Sequence, residues 1–363
     1  MKNLTWQNPE QLFVAQVLIN KVKSKCCGIK EVLLTESSSF LGSQEFMHSH
    51  TLLQVIPFCS IFVQHFKTPH HMEKDVCVTY VNDEETDFVY LSDQLKAFYP
   101  DTFKRLTALF NELYIDWGEV YGTKDIWIRD YMPIQITDKR YLVYDYSPDY
   151  LVGAEEYRTD SRSIFKDVLP GLSQWKNTNI KLDGGNVVVL GDCLVLTDKV
   201  FWENGREAYD NDFHHHLKDA LCSDILFLPW HCEHPDDPDA DVYGHADGLV
   251  RWTGGNKVLL TNHRDTDPVE AAEIIRRLER RGYVVREMQF DVPRLNRDFN
   301  WAYINYLQVG KKVIVPTFGI PEDKQALKII QEENPDCVVR GFRMRDIASK
   351  GGALHCITWN IKR

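Results

Sequence analysis

Four β-hairpins recur along this chain, and the recurrence restricts the fold more than any other feature. The turns Thr137-Asp138-Lys139-Arg140, Gly191-Asp192, Gly254-Gly255-Asn256 and Gly310-Lys311 each separate two short runs rich in Val, Ile, Leu and Tyr. Gly, Asp and Asn give the backbone the freedom that tight hairpins require. The expected strand pairs are Ile126–Ile136 with Tyr141–Tyr146, Asn186–Leu190 with Cys193–Thr197, Gly248–Trp252 with Lys257–Thr261, and Tyr303–Val309 with Lys312–Pro316. The turns lie about 53 to 64 residues apart, and a helix follows most of them. Conspicuous polar residues sit just before or at the start of each hairpin: Asp130, Asp183, His245 with Asp247, and Asn305. If the units surround an axis, these positions converge on one point.

Length alone, at 363 residues, suggests about two domains. The repeat instead favours a single α/β domain spanning 1–363. Asn8-Pro9 opens an expected helix within 1–28, carrying Leu12, Phe13, Ala15, Val17, Ile19 and Val22. Further helices are expected from Asp101 to Leu113, from Val269 to Arg281 behind Asp267-Pro268, and from Glu322 to Glu333 before Pro335.

The 42 basic and 53 acidic side chains leave a net charge of −11. That balance disfavours nucleic acid and anionic membranes as partners, since both need clustered Lys and Arg, and suits a cationic partner. Nine cysteines without a CxxC pair argue against a disulfide framework or zinc ribbon, and for a reducing compartment. The N-terminus shows no apolar signal segment. The most apolar run, Leu52–Val63, is interrupted by Gln54 and Pro57 and is short of the roughly 20 residues that span a bilayer. A cytoplasmic protein is expected.

Four motifs, all within 126–358, carry candidate chemistry: Trp127-Ile128-Arg129-Asp130, Leu182-Asp183-Gly184-Gly185-Asn186, Gly244-His245-Ala246-Asp247-Gly248, and Gly351-Gly352-Ala353-Leu354-His355-Cys356. Singly, each reads as an ion pair, a turn, a loop histidine or a buried thiol. Together they offer a thiol nucleophile, a histidine to manage protons and a carboxylate to orient it. On an extended strand, His245 and Asp247 would face the same side. Asp130 and Asp247 would supply two carboxylates to one pocket. Two carboxylates with a thiol and a histidine suit a planar cation with several N–H donors, a guanidinium.

In this order the motifs resemble the guanidine-modifying enzymes of the pentein fold, in the branch that holds agmatine deiminase and the bacterial peptidylarginine deiminase. The resemblance implies a five-bladed, pseudo-fivefold α/β propeller with its active site on the central axis. It implies Cys356 as nucleophile, His245 as general acid and base, and Asp130 and Asp247 as carboxylates gripping the guanidinium. Asp183 would orient His245, Trp127 would wall the pocket, and Asn305 lies in a recurrent family segment. The implied reaction is hydrolysis of a guanidinium to a ureido product and ammonia without metal or other cofactor. Its substrate would be agmatine, yielding N-carbamoylputrescine in polyamine metabolism, or an arginine derivative such as peptidyl-arginine. No nucleic-acid or membrane partner is expected, and a homo-oligomer remains open.

The chain departs from agmatine deiminases where those carry an FNxWG-type segment. Here Tyr144-Asp145-Tyr146-Ser147-Pro148-Asp149-Tyr150-Leu151 and then Arg158 occupy the region. Arg158 would suit a substrate carboxylate or be a surface residue, whereas an Asp149 contact to an amine would favour agmatine. His214-His215-His216 and His231-Cys232-Glu233-His234 lack the paired spacing typical of zinc. Alternatives are an amidinotransferase on the same scaffold, a thiol protease, and a non-catalytic binding module.

Overall fold

The computed structural model describes residues 80–169, 174–230 and 244–363. The helix expected within 1–28, the run Leu52–Val63 and the cluster at 231–234 lie outside the described residues. Those described belong to one compact unit, Glu73–Arg363. Their strands form five three-stranded sheets.

One pattern repeats in all five: a middle strand pairs antiparallel with a short strand on one side and parallel on the other. Arg140–Asp145 lies between Ile134–Thr137 and Gln174–Lys181. Cys193–Thr197 lies between Val188–Leu190 and Asp224–Leu228. Lys257–Leu260 and Lys312–Thr317 are flanked in the same way, by Val250–Trp252 with Val284–Glu287 and by Leu307–Val309 with Val338–Arg343. In the fifth sheet Phe88–Ser92 pairs antiparallel with Trp359–Ile361 and parallel with Asp116–Val120. No turn joins that antiparallel pair, because its strands come from opposite ends of the described chain.

A parallel neighbour cannot follow a two-residue turn, so each middle strand reaches it through a crossover helix. Pro100–Glu112, Ser161–Val168, Asn211–Leu221, Pro268–Arg280 and Asp323–Glu333 serve this role. Pro268–Arg280 illustrates why they form. Asp267 caps it by accepting from the Val269 and Glu270 amides at 2.9 and 2.8 Å, and proline begins it. Ala271, Ile274 and Leu278, spaced by three and four, bury one face, and Ile274 and Leu278 join a cluster with Val258 and Leu260. Burying each of the larger side chains stabilises by about 1.5–3 kcal/mol. Gly282, at φ 88°, lets the chain leave the helix.

The structure corrects the starts of the four first strands. Those expected from Ile126, Asn186, Gly248 and Tyr303 begin at Ile134, Val188, Val250 and Leu307. The preceding residues form single helical turns, Ile128–Tyr131, Gly184–Asn186, Ala246–Gly248 and Asn300–Ile304. Local bonds close these turns, such as the Asp130 amide to the Trp127 carbonyl and the Gly248 amide to the His245 carbonyl, which an extended strand cannot make. His245 and Asp247 therefore do not share one strand face. Among the described residues, no helix is long and apolar enough to cross a membrane. Cys193, Cys222, Cys337 and Cys356 are free thiols.

Candidate active site

The four turns bring the motifs together. Ile128–Tyr131 packs on Gly184–Asn186, which packs on Ala246–Gly248, which packs on Asn300–Ile304. The turn holding Cys356 joins both ends of this series. The Arg129 amide donates to the Cys356 carbonyl at 3.1 Å, and the His355 amide donates to the Asn305 carbonyl at 3.1 Å. Candidate residues far apart in sequence thus become neighbours through short backbone contacts.

Asp130 is buried, with its carboxylate accepting from the Gly185 amide at 3.2 Å. Tyr144 fixes that backbone by donating its hydroxyl to the Asp130 carbonyl at 2.6 Å. His245 stands between two acids: Nε2 is 2.9 Å from Asp183 Oδ2, and Nδ1 is 3.6 Å from Asp130 Oδ1. Carboxylates at both ring nitrogens are best matched by the doubly protonated imidazolium. Gly185 leaves room for this arrangement, since a Cβ there would lie 2.6 Å from Asp130 Oδ1 and 2.7 Å from His245 Nδ1.

Cys356 is buried, and its amide and thiol both meet Asn305 Oδ1 at 3.3 Å. Asn305 therefore fixes the backbone and the sulfur of the candidate nucleophile. Cys356 Sγ also lies 3.8 Å from Asp247 Oδ2. That carboxylate oxygen accepts from His355 Nδ1 at 2.5 Å. Trp127 packs so tightly over Gly352 that any side chain there would strike its ring.

The charges explain the protonation states. Burial pushes the Cys356 thiol well above its usual range, and Asp247 and Asp130 push it further. Burial opposes charging His245, but Asp130 and then Asp183 outweigh it and raise the ring to about 10. Burial also raises Asp130, so this facing acid–imidazole pair holds a proton well into the alkaline range. Burial, Arg129 and Arg251 push His355 down to about 4, leaving a neutral ring that donates to Asp247. Against its own burial, that hydrogen bond holds Asp247 below the usual carboxylate range.

Asp130, His245 and Cys356 open on one cavity of about 240 Å³, walled by Trp127, Tyr150, Leu151 and Tyr157, with Lys350 also in its lining. Asp183, Asp247 and Asn305 support these groups and do not line the cavity. Arg158 is exposed, donates to Ser147 Oγ at 2.9 Å, and is also outside the lining. His214, His215 and His216 lie on Asn211–Leu221, and no group of three or more His, Cys, Asp or Glu among the described residues is arranged to hold a metal ion.

Sequence reasoning passed over His355, although it adjoins Cys356 in the last motif. It also missed Lys199, whose side chain is fully buried and paired with Asp149 and Glu203. A lone lysine before Val200-Phe201 was the available signal. Lys350 and Tyr150 carried none beyond their neighbourhood.

The family model for the Porphyromonas-type peptidyl-arginine deiminase matches residues 78–361. The chain belongs to this family. Among curated relatives of this deiminase-family chain is the Streptococcus mutans protein named "Putative agmatine deiminase", 26% identical over 222 residues, covering 52% of this chain and 59% of that protein. A Listeria monocytogenes protein named "Putative agmatine deiminase 1" is 42% identical over 62 residues, 17% of either chain. The chain thus matches less than two thirds of the length of these relatives. Among solved structures, C. jejuni agmatine deiminase superposes with a TM-score of 0.62 at 16% identity, covering 78% of this chain and 96% of that one. These likenesses establish the α/β fold of the pentein deiminases for this family member.

Proposed function

We propose that the protein hydrolyses a guanidinium group to a ureido product and ammonia, with Cys356 as nucleophile. The carrying observation is that Cys356, His245 and Asp130, all buried side chains or nearly so, open on one cavity beside Trp127. We further infer that the five sheets are the blades of a pseudo-fivefold propeller whose axis passes through this site. The neighbour-to-neighbour packing of the site turns supports that arrangement.

In this mechanism the substrate supplies the cation that the site favours. Asp130 accepts guanidinium N–H bonds at one side of the cavity. Asp247, behind the cavity lining and 3.8 Å from the sulfur, adds negative charge that favours the cation beside the thiol. The positive substrate lowers the thiol pKa that burial and the two carboxylates raise, so Cys356 gives its proton to solvent water when substrate binds. The thiolate forms an S–C bond with the guanidinium carbon. His245 gives its proton to the departing nitrogen as the C–N bond breaks, releasing ammonia. The now neutral ring takes a proton from water as its oxygen attacks the thiouronium carbon. The C–S bond then breaks as the hydroxyl proton passes to the sulfur, leaving the ureido product and the Cys356 thiol.

The substrate is agmatine or a related arginine derivative such as peptidyl-arginine. Two observations favour an arginine derivative with a neutral or anionic distal end. Lys350 lies in the cavity lining, and Asp149 is already paired with Lys199 at 3.0 Å rather than left for a substrate ammonium. Ammonia release measured with agmatine, free arginine and arginyl peptides, with and without glycine as acceptor, tests the reading. Turnover of an arginine derivative without glycine supports it. Amidino transfer to glycine, or no ammonia from any guanidine, would sink it.

A further inference from the structure

We propose that Lys199 is a positioning residue whose ammonium joins the cavity wall to the carboxylate that orients His245, setting how firmly that imidazole holds its proton. Its side chain is completely buried within Lys199–Glu203. Nζ lies 3.0 Å from Asp149 Oδ1, pairs with Glu203, and stands 4.0 Å from Asp183 Oδ2. That last oxygen is also the partner of His245 at 2.9 Å. The Tyr150 and Trp230 rings face the ammonium, with centroids 5.1 and 5.9 Å away. Tyr150 lines the cavity and lies 6.2 Å from the His245 ring. A Cβ on Gly244 would come within 2.8 Å of Lys199 Cδ. One buried side chain therefore touches the pocket wall, the orienting acid and the residue preceding His245.

The ionic balance gives this contact a consequence. Three acids from separate elements face the ammonium: Asp149, Asp183 and Glu203. Asp130 faces the imidazole from a fourth element, and Asp247 adds negative charge from a fifth. Asp183 Oδ1 and Glu203 Oε2 are buried without a hydrogen-bond partner among the described residues. Burial raises Glu203 to about 8, so above that pH Lys199 and His245 compensate all these acids by charge, since buried charge is costly unless paired. Against its own burial, Asp183 and Glu203 hold the Lys199 ammonium above its usual range.

Removing the ammonium leaves Asp183 more dependent on His245, so the imidazolium becomes harder to deprotonate. Neutralising Asp149 has the opposite effect, because an anion is lost and Lys199 is released toward Asp183. With Nζ within about 7 Å of the imidazole, one unit charge at an effective dielectric near 20 displaces the midpoint by about 1–2 pH units.

The test is a histidine-selective nitrogen NMR titration near pH 10, the midpoint of His245, in wild type, Lys199→Met and Asp149→Asn. The His245 signal is assigned by its loss in His245→Asn, and circular dichroism verifies folding. The midpoint is expected to rise by about 1–2 units in Lys199→Met and fall by a smaller amount in Asp149→Asn. A residue that only fills space does not predict opposite signs. Unmoved midpoints, or displacement in the same direction, overturn the proposal. If Lys199→Met does not fold, Asp149→Asn decides alone, because the Asp149 side chain is partly exposed. The proposal rests on the deiminase reading for its relevance to catalysis, but the titration uses no substrate. A wild type that releases no ammonia therefore defeats that reading while leaving this test intact.

Discussion

Gly185→Ala tests the site geometry with one methyl group. The added Cβ would lie 2.6 Å from Asp130 Oδ1 and 2.7 Å from His245 Nδ1, whereas ordinary contact begins near 3.4 Å. The two groups must retreat by about 0.7–0.8 Å to accommodate it. Gly185 has no positive φ, so alanine adds crowding without backbone strain. Crowding a packed interior costs about 1–3 kcal/mol, which lowers the melting temperature by several degrees in a chain of this size. Displacing catalytic groups by nearly an ångström costs on the order of 100-fold in kcat/KM. Ammonia-release kinetics and thermal denaturation of the same preparation separate the two effects. An alanine variant within about threefold of wild-type kcat/KM, with an unchanged melting temperature, would show that Asp130 and His245 do not meet over Gly185 in the active protein.

Cys356→Ala should abolish ammonia release while preserving circular dichroism and melting temperature; residual release would remove Cys356 as nucleophile. Asp183→Asn deletes a charge-assisted hydrogen bond worth about 1.5–3 kcal/mol, so His245 should fall from about 10 by about 1–2 units. The alkaline limb of kcat/KM should move to lower pH by that amount, and an unmoved limb would contradict the assigned pair. Because the folded pKa of His245 exceeds its ordinary 6.5, its contribution to stability is complete below pH 6.5 and lost as pH rises through 10. Urea denaturation should show a smaller loss between pH 7 and pH 10 in His245→Asn than in wild type. Asp267→Ala, outside the cavity lining, should lower stability by about 1 kcal/mol through loss of its helix cap and leave kcat/KM unchanged.

Much of the scaffold is legible in local sequence patterns. Turns rich in Gly, Asp and Asn locate four hairpins, and Asp267-Pro268 with Gly282 marks a helix whose limits match the structure to within one residue at each end. The fifth sheet is hidden from such patterns because Phe88–Ser92 and Trp359–Ile361 have no turn between them. The same limit affects the site motifs. Asp130, Asp183, His245, Asp247 and Asn305 stand out as polar residues near hairpin starts, but their pattern reads as strand when most lie in or beside helical turns. Apolar alternation cannot distinguish one closing i→i+3 bond from a strand beginning a few residues earlier.

By itself the sequence determined the residue types available for chemistry and the repeating order in which they occur, because both are local properties. Tertiary structure decided which atoms face one another. It put His245 between Asp183 and Asp130, engaged Asp247 with His355, brought Asn305 to the Cys356 sulfur, and left Arg158 outside the cavity lining. It also buried Lys199 among acids from separate elements. Hydrogen bonding and charge depend on distance through space, and turns many residues apart meet only when the sheets pack.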